Sequence, residues 1–125
     1  MKTAGLLGGM SYESTIQYYK LINKKINNRL GNLNSAKILL YSCNFEELEA
    51  LQRIGEWDKS GDLMGVQAKH LQDANADFIA ICTNTMHKLI DNINKHINID
   101  ILHISDAVGT EIKKHNLKNV LLLGT

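Results

Sequence analysis

The residues best placed to do chemistry are Thr83-Asn84-Thr85, a hydroxyl, an amide and a second hydroxyl in succession. They follow Phe78 to Cys82, an apolar run of strand-forming types, and precede a helical pattern. A strand buried on both faces reads this way, and in open α/β sheets ligands sit outside the carboxyl ends of the strands. Other strand ends run into polar or glycine-rich loops at Gly8-Gly9-Met10-Ser11, Cys43-Asn44 and Ser105-Asp106. If the strands are parallel, these loops share one rim. Backbone N–H groups at the helix starts after Gly9, Thr85 and Ser105 would then draw an anion to it, a small carboxylate or phosphate. Each Ser or Thr taken alone is most simply a helix cap. Their common location is what points to a site.

Other chemistries find less support. Gly5, Gly8 and Gly9 do not have dinucleotide-fingerprint spacing, and no acidic residue ends the second strand to hold a ribose. No Lys-Ser or Lys-Thr follows a glycine run, so a P-loop is missing. Cys43, Cys82, His87 and His103 include no C-x-x-C or H-x-x-x-H pair, and no metal is expected. Cys82 ends an apolar run and reads as buried and inert. His87, in a first helical turn, is expected to hydrogen-bond a neighbouring loop, His70 to pack on an apolar helix face, and Trp57 to anchor a loop.

The elements that must position these residues alternate strand and helix. Thr3 to Leu7 reads as a strand, followed by a helix capped by Ser11 that carries Ile16, Tyr19, Ile22, Ile26 and Leu30 as an apolar stripe. Lys37 to Cys43 is a second strand and Glu46 to Gln52 a short helix. Asp58 opens the next helix, with Leu63, Val66, His70 and Leu71 on one face. After the central strand, one helix carries Met86, Leu89, Ile90, Ile93 and Ile97. Asp100 to Ile104 is a fourth strand, Ser105 caps a helix to about His115, and Val120 to Thr125 is a final apolar strand. This alternation predicts an α/β fold, a parallel sheet joined by right-handed crossovers with helices on both faces.

At 125 residues, 44% hydrophobic and 22% charged, the chain fits one globular domain. A formal net charge of +1 without a basic run excludes nucleic acid and anionic membrane as expected partners. No apolar run could span a bilayer. The glycine-interrupted start does not read as a signal peptide, so a cytoplasmic location with reduced cysteines is expected.

Four segments resemble the aspartate/glutamate racemase family, the amino-acid racemases that work without pyridoxal phosphate. They are Gly5-Leu6-Leu7-Gly8-Gly9-Met10-Ser11-Tyr12-Glu13-Ser14-Thr15, Gly55-Glu56-Trp57-Asp58, Cys82-Thr83-Asn84-Thr85-Met86-His87 and Leu122-Leu123-Gly124-Thr125. The resemblance implies two α/β units with substrate between them, residues 1–117 forming the amino-terminal unit and 118–125 opening the second. Each unit would give one side chain that exchanges the α-proton from its own face, usually a cysteine just before Asn-Thr. Here that position is Thr83, as in the branch specific for L-aspartate and L-glutamate, and Cys82 lies one place earlier.

By the same resemblance, Thr83 is the catalytic residue, and Met10, Gln52, Thr83, Asn84, Thr85 and Thr125 are expected at the substrate, an amino acid or dicarboxylate. No cofactor is implied, and a homodimer is. The second catalytic cysteine and the lysine for the distal carboxylate are not in this sequence, so the chain alone is expected to be inactive. The competing readings are a non-catalytic carboxylate-binding or dimerisation module, and another superfamily member such as a hydantoin racemase or maleate isomerase.

Overall fold

The structure, a computed structural model, describes residues 1–123. Four parallel strands form one sheet: β1 (Thr3–Gly8), β2 (Lys37–Ser42), β3 (Phe78–Ile81) and β4 (Ile101–Leu102), in the order β2-β1-β3-β4. Their connections are α1 (Tyr12–Leu30), then α2 (Phe45–Arg53) and α3 (Trp57–Asp73), then a 3₁₀ turn (Thr85–Leu89) with α4 (Ile90–Ile93). The last helix is α5 (Ile104–Lys114). The α/β class and parallel pairing expected from the alternation are present.

The two sheet faces are covered unequally. Leu7, Ile79 and Ile81 pack with Leu48, Met64, Ala68, Leu71, Met86, Leu89 and Ile93 into the core. The opposite face carries Ala4, Leu6, Phe78 and Ala80, which line an apolar cavity of about 500 Å³ with Tyr18 and Ile22 of α1 and Ala107 of α5. The expected burial of the central strand on both faces therefore holds for one face only, Phe78 and Ala80 being half-buried.

Several local expectations need correction, and packing or hydrogen bonding explains most of them. The α1 stripe turns inward only at Ile22 and Ile26, since Ile16 and Tyr19 are 54% and 53% exposed and Leu30 lies open at the helix end. Ser14 and Thr15 bond to the loops at the sheet end and turn the Ser14–Tyr18–Ile22 face toward the sheet instead. In α3 the buried side is Ser60, Gly61, Met64, Gly65, Gln67, Ala68 and Leu71, so Val66 and His70 are exposed. Small residues face inward there because α4 and the turn after it press on them. A Cβ at Gly61 would stand 2.6 Å from that of Asn92, and one at Gly65 would run into the His96 ring.

The segment after β3 is not one continuous helix. In an α-helix the His87 N–H would reach the Thr83 carbonyl, but it bonds Asn84 O at 3.0 Å while the His87 ring takes Thr83 O. This side-chain competition tightens the first turn to 3₁₀. Met86, Leu89, Ile93 and Ile97 still point inward as expected. At the fourth strand only Ile101–Leu102 pairs, and the cap of α5 is His103, not Ser105, its Nδ1 accepting from Ser105 N at 3.1 Å.

Val120 to Leu123 form no strand and lie exposed. Gly124 and Thr125, which complete the expected final strand, lie outside the described residues. Among the described residues no helix is long and apolar enough to cross a membrane.

Candidate active site

β1 and β3 are neighbours in the sheet, yet the chain leaves them toward opposite faces, β1 into α1 and β3 into the turn before α4. Where connections diverge in this way a crevice opens at the carboxyl ends of the strands. By that rule the expected crevice lies between two walls, the Gly8–Ser11 loop and Thr83 to Thr85, which follow neighbouring strand ends.

The first wall depends on close backbone approach. Gly9 has φ +90°, and a Cβ there would stand 2.6 Å from Cys43 N. Gly8 leaves no room either, with Thr15 Cγ2 at 2.5 Å from where its Cβ would be. Gly9 N donates to Thr15 Oγ1 at 2.9 Å, and that hydroxyl donates to Ser11 O at 3.1 Å. The neighbouring Ser14 Oγ lies 2.6 Å from Cys82 O and 3.0 Å from Ser11 O. Ser14 thus ties the first wall to the residue before the second, while Thr15 bonds within the first wall alone. The sequence reading missed Ser14 and Thr15 as site residues. Their signal was a pair of hydroxyls just inside a helix start, where they compete for backbone groups.

On the second wall Thr83 is half-buried, and Asn84 and Thr85 are exposed. His87 is buried behind them, its Nδ1 2.8 Å from Thr83 O and 3.1 Å from Asn84 O. Both partners are carbonyl acceptors, so Nδ1 carries a proton. The expectation that His87 bonds a neighbouring loop holds. Among the described residues no side-chain hydrogen bond engages the Thr83 hydroxyl, and no group of three or more His, Cys, Asp or Glu converges as a metal site.

The other expected site residues divide. Gln52 is half-buried and its Nε2 lies 3.2 Å from both Ser60 Oγ and Met86 Sδ, which joins α2 to the turn after Thr85. Met10 is 3% exposed and belongs to the core, so its side chain is closed to a ligand and only its backbone can face the crevice. Thr125 lies outside the described residues. Trp57 opens α3 rather than anchoring a loop, and Lys88 Nζ stands 3.2 Å over its ring.

Neither cysteine can act as a base at neutral pH. Both are free and buried. Burial pushes the Cys82 thiol up to about 12 and the Cys43 thiol up to about 11, Cys43 also standing 2.9 Å from Gln67 Oε1. The two loops therefore offer hydroxyls, an amide and backbone N–H groups, all able to donate to an anion.

A family model described as Asp/Glu/Hydantoin racemase matches residues 7–125. The chain is 27% identical over 124 residues to the broad specificity amino-acid racemase RacX of Bacillus subtilis (strain 168), covering 97% of this chain and 53% of that protein. A candidate Asp/Glu racemase from Yersinia pestis has a solved structure that superposes with TM-score 0.90 at 47% identity, covering 93% of this chain and 50% of that one. An aspartate racemase homologue from Pyrococcus horikoshii OT3 also gives TM-score 0.90, at 34% identity, covering all of this chain and 54% of that one. The chain thus spans about half the length of the relatives it matches.

Proposed function

The chain belongs to the Asp/Glu/Hydantoin racemase family, and from that premise we propose that it supplies the Thr83-bearing half of an amino-acid racemase. The substrates of this reading are the enantiomers of aspartate and glutamate, interconverted by proton exchange at Cα without pyridoxal phosphate. The observation that supports it is the parallel pairing of β1 and β3, which brings the Gly8–Ser11 loop and Thr83-Asn84-Thr85 to the carboxyl ends of adjacent strands.

The chemistry follows from what the crevice holds. Removing an α-proton leaves a poorly stabilised carbanion, so fixed donors aimed at the carboxylate supply much of the catalysis. Asn84, Thr85 and the backbone of the two walls are the donors of this reading, with Gln52 beside them. Thr83 stands at one face of Cα. A hydroxyl is far less acidic than a thiol and makes a poor base unless a partner takes its proton, so Thr83 returns or relays a proton more readily than it removes one. The opposing face needs a second group. Cys43 and Cys82 are buried in the fold with raised thiols, so in this reading a second unit supplies that group and the two faces of Cα exchange protons with solvent unequally.

The test is deuterium incorporation at Cα of L- and D-aspartate and glutamate in D₂O, followed by NMR. It uses protein that carries this unit together with a second unit of the family. Exchange is expected, and Thr83→Cys should raise it for the enantiomer that the wild type handles more slowly. No exchange of any of the four amino acids by either protein would overturn the reading. One observation favours a second reading: the Thr83 hydroxyl has no base beside it among the described residues. Binding of these amino acids without exchange would support that reading, a carboxylate-binding module.

A further inference from the structure

We propose that His87 is a positioning residue for the racemase site, holding the carbonyls of Thr83 and Asn84 inward and thereby fixing where Thr83 and the adjoining peptide groups stand. The inference rests on the racemase reading for its functional meaning and on geometry for its substance. Nothing in that reading needs His87, which does not reach the crevice.

The ring is 7% exposed, and its Nδ1–H is shared between Thr83 O at 2.8 Å and Asn84 O at 3.1 Å. The His87 backbone N–H adds a second bond to Asn84 O at 3.0 Å. Two successive carbonyls are therefore directed at one buried residue. In a trans peptide the C=O and the following N–H point in opposite directions. Carbonyls turned inward toward His87 leave the N–H groups of Asn84 and Thr85 directed away from it, toward the crevice. The same constraint sets the backbone on either side of the Thr83 side chain and narrows its rotamer choice.

The ring is itself held. His103 stands beside it with centroids 4.8 Å apart. Its own Nδ1 is fixed by Ser105, whose N–H donates at 3.1 Å and whose Oγ lies at 2.7 Å. From the other direction Ser14 Oγ fixes the Cys82 carbonyl. Thr83 is thus clamped on both sides, by a hydroxyl before it and an imidazole after it. Clamped residues of this kind matter because misplacement of a reacting group by about 1 Å costs rate far from any direct contact.

The experiment compares wild type, His87→Asn and His87→Leu in this chain by NMR. The Asn amide nitrogen can stand where Nδ1 does, whereas Leu fills the space without a donor. Side-chain couplings report the Thr83 rotamer, carbonyl carbon shifts report the two acceptors, and titration with L-aspartate and L-glutamate reports binding. Wild type and His87→Asn should hold Thr83 in one rotamer. His87→Leu should average it, move both carbonyl signals and weaken binding by about tenfold, the size of one lost hydrogen bond. An unchanged Thr83 rotamer with unchanged carbonyl shifts in His87→Leu would overturn the inference. If that variant does not fold, His87→Gln, whose amide lies one bond too far out, replaces it in the same comparison. The racemase reading does not require binding by this unit alone. If no amino acid shifts any wild-type signal, the rotamer and carbonyl comparison decides the role of His87, and exchange in D₂O by protein carrying both units decides the racemase reading.

Discussion

Ser14 Oγ lies 2.6 Å from the carbonyl oxygen of Cys82, so the first turn of α1 is tied to the residue just before Thr83. The bond crosses the crevice between β1 and β3 and joins residues 68 positions apart. Ser14→Ala should lower unfolding free energy by about 1 kcal/mol, the ordinary net worth of such a bond. Urea denaturation with a midpoint equal to that of wild type would show that the tie contributes nothing.

Gly9→Ala should be more damaging. The residue sits at φ +90°, and its Cβ would collide with the backbone of Cys43, which cannot move without breaking the bond from Cys43 N to Gly8 O at 2.9 Å. Strain at such a position and the clash together should cost at least about 2 kcal/mol. Thermal unfolding checks this, and a change under about 0.5 kcal/mol would mean the loop has another conformation.

Alkaline pH should unfold the protein through its buried acids. The Cys43 and Cys82 thiols are held up at about 11 and about 12, chiefly by burial, and the Tyr18 phenol is raised for the same reason. An unfolded thiol ionises near pH ~8.5. Below that pH both states keep their protons and the stabilisation is complete. Above it the unfolded chain loses protons first, so stability falls as pH rises toward the folded values. Urea midpoints should therefore decline from about pH 8.5 upward, less steeply in Cys82→Ala. A flat profile would contradict the burial of the thiols. At about pH 8 neither native thiol should react quickly with a disulfide reagent, and Thr83→Cys should add one that does.

The contact between α3 and α4 gives a coupled pair. Gly65 has no room for a Cβ because the His96 ring lies against it, and His96 Nε2 also reaches Asp62 Oδ1 at 3.3 Å. Gly65→Ala should destabilise by about 2 kcal/mol, despite the better helix propensity of alanine. Adding His96→Ala should recover part of that loss. A double-mutant cycle tests it, and strict additivity would place the two residues out of contact.

The parts of the molecule legible in the sequence are those set by local pattern. Alternating apolar runs and turn glycines mark β1, β2 and β3, and Gly31 and Gly55 end helices with φ +72° and +81°. The common end of the sheet shared by the polar loops was legible as well, because loops after parallel strands must lie on one rim. Packing choices were not. Which side of α1 turns inward depends on two hydroxyl bonds to distant loops, and Ile16 and Tyr19 have the same local pattern whether covered or open. The buried side of α3 is marked by missing side chains at Gly61 and Gly65, which a hydrophobicity pattern overlooks. Met10 is expected at the substrate from the family resemblance, yet its side chain packs in the core. The 3₁₀ turn after Thr85 comes from the His87 ring competing for a carbonyl, which residue spacing alone does not reveal.

The place of β1 in the sheet bears on how the protein is made. β1, one of the two interior strands, is synthesised before both of its partners, and Ala4 pairs with both Ile38 and Phe78. One of its edges finds a partner early in synthesis, but the other stays bare until β3 has been translated. During that interval Leu6 and Leu7 have neither a complete sheet nor a core around them. Non-local parallel pairing of this sort forms slowly and leaves sticky intermediates. β1 is therefore paired along both edges only once residues up to 81 have been synthesised.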